Sequence, residues 1–205
     1  MPTLFIIRHG ENDYLKKNKM PGRLPGIHLN ARGREQADGL AQTLGQLPIK
    51  AIYASPLERA IEAAEPLARS LGLDIQLCPD LTDTDVGNWE GRSWKMLGRT
   101  KLWKVIQQTP SQFQFPDGET FVHAQERVVH ALDIIASAHA PDELVAVVFH
   151  ADPIKLAISH YLGLPLDNFQ SLTAYTGSVT ILKMDGSSVK LRALNLIPPF
   201  SFPKP

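Results

Sequence analysis

The 205-residue sequence has little of three things: cysteine, net charge and long apolar runs. Cys78 is its single cysteine, so no intrachain disulfide can form and a reducing compartment is the simpler interpretation. Lysine plus arginine and aspartate plus glutamate are equal, at 21 each, and no run of five like charges occurs. This balance argues against a nucleic-acid or membrane-surface partner, so any anion-binding site must be local.

Apolar runs are short throughout the sequence. The N-terminal segment, residues 1–10, has only four consecutive strongly apolar residues before a charged one, too few for the core of a signal peptide. No segment approaches the roughly 18 apolar residues that a membrane-spanning helix needs. We therefore expect a cytoplasmic protein with no membrane partner. The contents of 43% hydrophobic and 20% charged residues are typical of a globular chain.

Strand and helix patterns alternate along the chain. Continuous apolar runs predict strands that are buried on both faces. Such runs lie at residues 3–7 and 144–149, and shorter strands are predicted at residues 49–54 and 73–77. Two further strands, at residues 179–184 and 189–194, flank Asp185-Gly186, a two-residue hairpin signal. This order predicts an α/β fold with three layers, α/β/α, around a mostly parallel central sheet.

Segments with apolar residues at helical spacing lie between these strands and predict helices. Asn30 is a candidate cap of one helix. Ser55, followed by Pro56 and then by Glu58 three residues after the serine, has the pattern of a second helix start. Later helices are predicted at residues 119–138 and from residue 152 or 153 to about 163.

Residues 80–118 interrupt the alternation. This segment contains all three tryptophans, several turn residues and a possible short helix at residues 93–108. We interpret it as a small cap-like insertion that folds over the sheet, within a single domain that covers residues 1–205. The tail from about residue 197 to 205 is rich in proline and is expected to be irregular.

Basic and imidazole side chains stand at the carboxyl ends of the predicted strands. Arg8 and His9 end the first strand, Arg59 lies one turn into the helix after the second, and His150 follows the run 144–149. In parallel sheets ligands bind beyond this edge, where helix N-termini also point. Two guanidiniums, backbone N–H groups and helix ends suit a doubly charged tetrahedral anion, and a phosphoryl group fits best.

Each of these residues has a simpler interpretation when it is taken alone. An Arg-His pair at a strand end is usually a surface feature or a satisfied hydrogen-bonding pair. A helical arginine such as Arg59 is usually solvated, and a lone histidine such as His150 is often a core residue. Their equivalent topological positions nevertheless favour one shared site.

Four motifs together resemble the histidine phosphatase superfamily, which includes cofactor-dependent phosphoglycerate mutases and related phosphatases. They are RHGE at residues 8–11, SPLxRA at residues 55–60, LxDxDxGxWEG at residues 81–91 and the late strand that ends in His150. The resemblance covers about residues 3–164. Residues 22–37 and 102–120 also resemble a bacterial subgroup described as phosphomutases or phosphatases.

The resemblance implies a phosphohistidine mechanism without metal or cofactor. His9 corresponds to the family's nucleophile, which becomes phosphorylated. Arg8, Arg59 and His150 correspond to the residues that hold the phosphoryl oxygens, and the backbone N–H of Ala151 is expected to help.

An acid must protonate the leaving oxygen. By motif register this role falls on Asp83, where most relatives carry glutamate. Asp85, two residues further on, is the rival candidate. A solvated loop carboxylate is the simpler interpretation of either residue.

The sequence departs from the family pattern at three positions. Asn12 stands where relatives usually carry serine or threonine, and its amide can still donate a hydrogen bond to phosphate. Leu15 stands where mutases often carry asparagine. Asp152 follows the second histidine, and we expect it to cap the next helix instead of facing the phosphate.

Three other residues receive weaker interpretations. Glu119 is either a residue of the insertion boundary or a substrate contact, and the sequence does not decide between them. His123 and His130, seven positions apart on one helical face, are interpreted as surface residues and not as metal ligands.

The leading functional hypothesis is a metal-independent phosphomonoesterase that acts on a small phosphorylated metabolite. A phosphoglycerate mutase-type phosphomutase is the alternative, and a non-catalytic phospho-ligand-binding protein is a third candidate. Specificity is expected to lie in residues 16–29 and 80–118. The sequence is compatible with a monomer or a homodimer.

Overall fold

The computed structural model describes residues 2–185 and 188–200. Within these residues six strands form one sheet in the order β3-β2-β4-β1-β5-β6. The strands are β1 Thr3–Arg8, β2 Ile49–Ala54, β3 Ile75–Leu77, β4 Leu144–Phe149, β5 Val179–Asp185 and β6 Ser188–Leu196. β1 to β4 are mutually parallel, whereas β5 and β6 are antiparallel to their neighbours. The predicted α/β fold with a mostly parallel sheet is confirmed.

Helices cover both faces of the sheet. The α-helices are α1 Asp13–Lys16, α2 Ala31–Leu44, α3 Glu58–Leu71, α4 Trp94–Leu97, α5 Lys101–Gln108, α6 Phe121–Ser137 and α7 Ala151–Tyr161. One apolar cluster packs α2 and α3 on one face, and a second packs α6 and α7 on the other.

The strand β1 shows why its sequence is continuously apolar. Successive side chains of a strand point to opposite faces. Leu4 and Ile6 therefore join the cluster with α6 and α7, whereas Phe5 and Ile7 join the cluster with α2 and α3. All four are almost fully buried, so the strand is held on both faces and its carboxyl end, Arg8, has a fixed position.

Four of the predicted strands, β1, β3, β5 and β6, differ from the prediction in their limits. β3 begins at Ile75 instead of residue 73 and lies at the edge of the sheet, where Leu77 is exposed. An edge strand pairs on one side only, so its ends are held less firmly by neighbours. β5 and β6 pair as the predicted hairpin requires, but Gly186 of its turn signal lies outside the described residues.

Ser55 does not cap the helix that follows it. α3 begins at Glu58, and its N-cap is Leu57, which makes no side-chain cap hydrogen bond. The Ser55 hydroxyl instead lies 2.8 Å from Nε2 of His150. The sequence pattern of a capped helix start is present, but its serine contacts His150 after β4 and does not cap α3.

Three other helix limits differ from the prediction. The stretch 93–108 is divided into α4 and α5, because Gly98 ends the first helix and the Thr100 side chain caps the second. Thr120, and not Glu119, is the N-cap of α6. α7 begins at Ala151 with His150 as its N-cap.

The segment 80–118 packs through its own apolar cluster. Phe113 and Phe115 from the segment contact Phe121 at the start of α6, and Trp89 packs on both phenylalanines of the segment. Leu156 of α7 belongs to the same cluster. The segment is thus anchored on the start of α6 and on the middle of α7. In the tail, residues 197–200 are irregular, and residues 201–205 lie outside the described part of the chain.

The longest helix of the described residues, α6, has 17 residues. No helix in this part of the chain is both long enough and apolar enough to cross a membrane.

Candidate active site

His9 lies directly after β1 and is 2% exposed. Its Nδ1 lies 2.7 Å from the carbonyl oxygen of Gly10, which can only accept, so Nδ1 carries the proton and Nε2 keeps a free lone pair. A side chain at Gly10 would meet the backbone oxygen of Gly33 at 2.4 Å, so this position needs glycine. The ring is thereby held as the tautomer that a nucleophile requires.

The surroundings of His9 also keep it neutral. Burial lowers the pKa of His9 well below its ordinary value, and the positive charges of Arg59 and Arg8 lower it further. The hydrogen bond to the Gly10 carbonyl opposes this shift only in part. A neutral imidazole is the form that can attack an electrophile.

Arg59 is fully buried on the first turn of α3. Its Nη2 donates to the Gly22 carbonyl at 2.7 Å and to Oδ2 of Asp83 at 3.0 Å. Nε and Nη1 are buried and have no hydrogen-bond partner among the described residues. A buried N–H without a partner is costly, so this guanidinium is poised to receive an acceptor.

Three further donors near this point share that property. Nε of Arg8, Nδ2 of Asn12 and Nδ1 of His150 are buried without a hydrogen-bond partner within the described part of the chain. The rings of His9 and His150 lie 5.1 Å apart between centroids. Together with Arg59 this makes five unpartnered donor atoms on four residues, which is what an oxyanion site needs before its anion binds.

The four residues reach this arrangement in different ways. Arg8 is fixed by a hydrogen bond from Nη1 to the Ala174 carbonyl at 2.6 Å. Oδ1 of Asn12 caps α1 by accepting from the Leu15 N–H at 2.9 Å, which leaves the amide nitrogen as the free donor. Arg8 and His9 line a surface cavity, whereas Asn12, Arg59 and His150 are fully buried and are not among the residues that line it.

His150 is hydrogen-bonded through one ring nitrogen, and the other lies near Asp83 without a hydrogen bond among the described residues. Nε2 lies 2.8 Å from the Ser55 hydroxyl, and Nδ1 lies 3.6 Å from Oδ2 of Asp83. When the Ser55 hydroxyl donates to Nε2, the neutral ring carries its proton on Nδ1. Burial lowers the pKa of His150 well below its ordinary value, and the charge of Arg59 lowers it further.

Asp83 and Asp85 occupy different environments. The side chain of Asp83 is 16% exposed, lines the cavity and touches Arg59. Burial raises the pKa of Asp83, while the Arg59 charge opposes the shift. Asp85 instead accepts from the Gly87 N–H at 3.0 Å, lies 3.7 Å from Arg23 and does not line the cavity.

Glu119 is the centre of an ion-pair cluster and does not line the cavity. Its Oε1 accepts from Nη2 of Arg127 at 2.8 Å, from the Asp85 N–H at 2.9 Å and from Nη2 of Arg23 at 3.0 Å. Burial alone would raise the pKa of Glu119, but the hydrogen bonds from Arg127 and Asp85 outweigh it and lower the pKa. Glu119 thereby connects the backbone at Asp85 to the side chains of Arg23 and Arg127.

The first turn of α7 borders the same cavity. Ala151 and Asp152 line it, and so does Lys155. The expectation that Asp152 caps α7 is wrong, because the N-cap is His150 and Asp152 already lies in the helix. Its Oδ1 instead lies 2.7 Å from Nζ of Lys155, an i,i+3 ion pair that keeps the carboxylate engaged.

The three tryptophans divide between packing and the cavity. Trp89 is buried and stacks on Trp103 with 6.0 Å between ring centroids. Trp94 and Trp103 line the cavity, as does Leu15.

The two histidines of α6 lie apart from the cavity: Nδ1 of His123 lies 3.2 Å from Glu119, and His130 is exposed. No group of three or more His, Cys, Asp or Glu residues with metal-ligand geometry occurs in the described part of the chain.

The histidine phosphatase superfamily (branch 1) matches residues 4–197 of this chain. The chain therefore belongs to that superfamily, as its motifs predicted. It is 27% identical over 202 residues to phosphoserine phosphatase 1 of Hydrogenobacter thermophilus, with 96% of this chain and 93% of the relative covered.

Two further proteins extend the comparison. A 2,3-bisphosphoglycerate-dependent phosphoglycerate mutase of Thermoplasma acidophilum is 28% identical over 197 residues, with 96% and 94% of the two chains covered. Among solved structures, YhfR of Bacillus stearothermophilus superposes with a TM-score of 0.87 at 28% identity, over 94% of this chain and 96% of that one. The relatives thus include both a phosphatase and a mutase.

Sequence reasoning missed several residues around the site. Thr84 lines the cavity, is 1% exposed, and its hydroxyl has no hydrogen-bond partner among the described residues. Its place beside Asp83 in the LxDxDxGxWEG motif was the available signal. Arg23 and Arg127 carry no such signal, because their roles depend on contacts with Glu119 across 96 and 8 positions.

Proposed function

We propose that this protein is a metal-independent phosphomonoesterase that acts on a small phosphorylated substrate through phospho-His9. The observation that carries the proposal is the group of five unpartnered, buried donors around a neutral His9. A phosphoryl group presents three oxygens with negative charge, which these donors would satisfy. Membership of the superfamily and the phosphatase relative support the same chemistry.

The first step transfers the phosphoryl group to the enzyme. Nε2 of His9 forms a bond to phosphorus while the bond from phosphorus to the ester oxygen breaks. Arg8, Arg59 and His150 hold the phosphoryl oxygens, with Asn12 and the Ala151 N–H as further donors. Asp83 enters this step protonated and gives its proton to the departing alkoxide, so the alcohol leaves neutral.

The second step releases phosphate. Asp83, now a carboxylate, takes a proton from water as the water oxygen attacks the phosphorus of phospho-His9. The bond between phosphorus and Nε2 breaks, inorganic phosphate leaves, and both residues return to their starting forms. The raised pKa of Asp83 suits this exchange of acid and base roles.

A phosphomutase is the second candidate, favoured by the likeness to the Thermoplasma mutase. A mutase must protect phospho-His9 from water and return the phosphoryl group to a bound alcohol. Leu15, which lines the cavity where mutases often carry asparagine, supplies no donor to a second anionic group and supports hydrolysis instead.

We further propose a cytoplasmic location, in keeping with the lone Cys78, and a monomer or homodimer with no nucleic-acid partner.

The test uses p-nitrophenyl phosphate and a panel of phosphorylated metabolites, with and without EDTA. Activity that persists in EDTA, is lost in His9→Ala and leaves a ³²P-labelled, acid-labile adduct on wild type supports the proposal. Turnover retained by His9→Ala would contradict the nucleophile. Exchange between 2- and 3-phosphoglycerate without release of phosphate would favour the mutase.

A further inference from the structure

The cavity beside His9 is larger than a phosphoryl group requires. Its volume is about 570 Å³, within the range of small-molecule sites. Most of its wall beyond His9 is apolar and comes from several separate segments of the chain. The apolar side chains of this wall include Leu15, Trp94, Trp103, Ile106, Phe115 and Leu172.

The described side chains that line the cavity leave no free cation for a second anionic group. Among the described residues that line it, the lysines and arginines are Arg8 and Lys155. Arg8 belongs to the proposed phosphoryl site. Lys155 is paired with Asp152 at 2.7 Å, and its Nζ lies 5.0 Å from the centre of the Phe169 ring. The ammonium of Lys155 therefore already interacts with the Asp152 carboxylate and with the Phe169 ring.

A carboxylate on the substrate would therefore be disfavoured here. It would meet the carboxyl groups of Asp83 and Asp152 and the apolar wall, while the nearby ammonium already has a partner. Bringing an ion into such surroundings costs hydration. The other polar side chains of the lining, Thr84, Gln107, Gln170, Thr173 and Tyr175, are neutral and supply no charge to offset that cost. An aryl or alkyl group would instead be favoured by the area that it removes from water.

We propose that the substrate is a phosphomonoester of an apolar alcohol, aryl-bearing or alkyl, that carries no carboxylate. This inference rests on the proposed function, because it places the phosphoryl group at His9. It distinguishes the chain from the phosphoserine phosphatase and phosphoglycerate mutase relatives, whose named compounds carry a carboxylate.

Binding of phosphonates tests the inference without any turnover. Calorimetry would compare 2-phenylethylphosphonate with 3-phosphonopropionate, neither of which is hydrolysed. We expect the phenyl compound to bind at least about tenfold more tightly, which corresponds to about 1.4 kcal/mol. Equal binding, or tighter binding of the carboxylate compound, would overturn the inference.

A matched pair of variants locates the preference in the cavity. Trp94 lines the cavity and is 39% exposed, whereas Met96 on the same helix, α4, is 50% exposed and does not line it. Trp94→Ala should weaken binding of 2-phenylethylphosphonate severalfold, and Met96→Ala should not change it. If Met96→Ala has the larger effect, the apolar wall is not where the ligand binds.

Turnover separates this inference from the proposed function. 2-Phenylethyl phosphate and phosphoserine both release a primary alcohol, so their kcat/KM ratio reports mainly on the cavity. Hydrolysis with phosphoserine preferred would refute the substrate class and keep the phosphatase. Absence of any hydrolysis, together with tight binding of the phenyl phosphonate, would refute the phosphatase and keep the ligand class.

Discussion

Oδ2 of Asp83 lies 3.0 Å from Nη2 of Arg59, so the proposed acid is in contact with the proposed phosphoryl site. The same guanidinium keeps two nitrogens without partners among the described residues. A phosphoryl oxygen bound there would lie close to Asp83, which is the position from which a proton can reach the ester oxygen. Arg59 therefore links anion binding to the placement of the acid.

Asp83→Asn should slow turnover of esters with poor leaving groups by about 10²- to 10⁴-fold, because an amide cannot donate the proton that the alkoxide needs. The loss should be much smaller with p-nitrophenyl phosphate, whose leaving group is stable as an anion. Steady-state kcat on both esters checks this. Asp85→Asn is the control, since Asp85 does not line the cavity. A larger loss in Asp85→Asn would assign the acid role to Asp85.

The pH dependence of kcat/KM should be set by two opposite shifts. Attack requires neutral His9, and burial together with Arg59 and Arg8 lowers the pKa of His9, so activity should persist at pH values where an ordinary histidine is protonated. Proton donation requires protonated Asp83, whose pKa is raised by burial, so activity should fall as pH rises through that raised value. We therefore expect activity to extend to more acidic pH than an ordinary histidine would allow and to decline as Asp83 loses its proton.

Two measurements check the assignment. With an ester that has a poor leaving group, the pH profile of Asp83→Asn should lack the decrease at alkaline pH. This result would assign the decrease to Asp83 and not to the substrate phosphate, which titrates near pH 6. NMR titration of the His9 ring should show no protonation near pH 6.5, the ordinary histidine value. An ordinary pKa for His9 would show that burial does not keep this ring neutral.

The strands and the residues at their ends followed from the sequence, because both depend on local patterns. β4 was predicted with its observed bounds, since a strand buried on both faces is continuously apolar. Arg8, His9 and His150 could be grouped because parallel strands end at one edge. Contacts between distant segments could not be predicted from local patterns. The contact of Ser55 with His150, across 95 positions, is an example. Which side chains form the apolar wall of the cavity was also not predictable, because they come from loops and short helices whose paths have no periodic signal.

Glu119 should act on Asp83 through the loop that carries the acid. Arg23 donates from Nε to the Asp83 carbonyl at 2.8 Å, and Arg127 donates from Nη1 to the Thr82 carbonyl at 3.1 Å. Both arginines are also paired with Glu119. The cluster thus fixes the backbone on which Asp83 stands, while Glu119 itself does not line the cavity.

Glu119→Gln should therefore lower kcat by about tenfold on a poor-leaving-group ester, with less effect on p-nitrophenyl phosphate. A purely structural defect would reduce both equally, so the ratio of the two kcat values is the readout. Glu143→Gln serves as the control, because Glu143 also pairs with a histidine, His139, but belongs to another part of the chain. Equal losses on the two esters would mean that Glu119 supports folding and not the position of the acid.

Stability should decrease as pH falls below about 6.5, the ordinary pKa of histidine. Burial lowers the pKa of His9 and of His150 in the folded protein, so between the folded and unfolded pKa values the unfolded chain binds more protons. The free energy of unfolding therefore rises with pH through this window and is lost toward acid. Urea denaturation at pH 5 and pH 7 measures the difference for wild type and for His9→Gln.

The variant should show a smaller loss of stability between the two pH values, because one of the two histidines no longer takes up a proton on unfolding. His130→Gln is the matched control, since His130 is exposed on α6. Inorganic phosphate should reduce the loss in wild type, because an anion bound by the folded protein stabilises it and favours the charged form of neighbouring imidazoles. An unchanged pH dependence in His9→Gln would show that His9 is not held neutral by the fold.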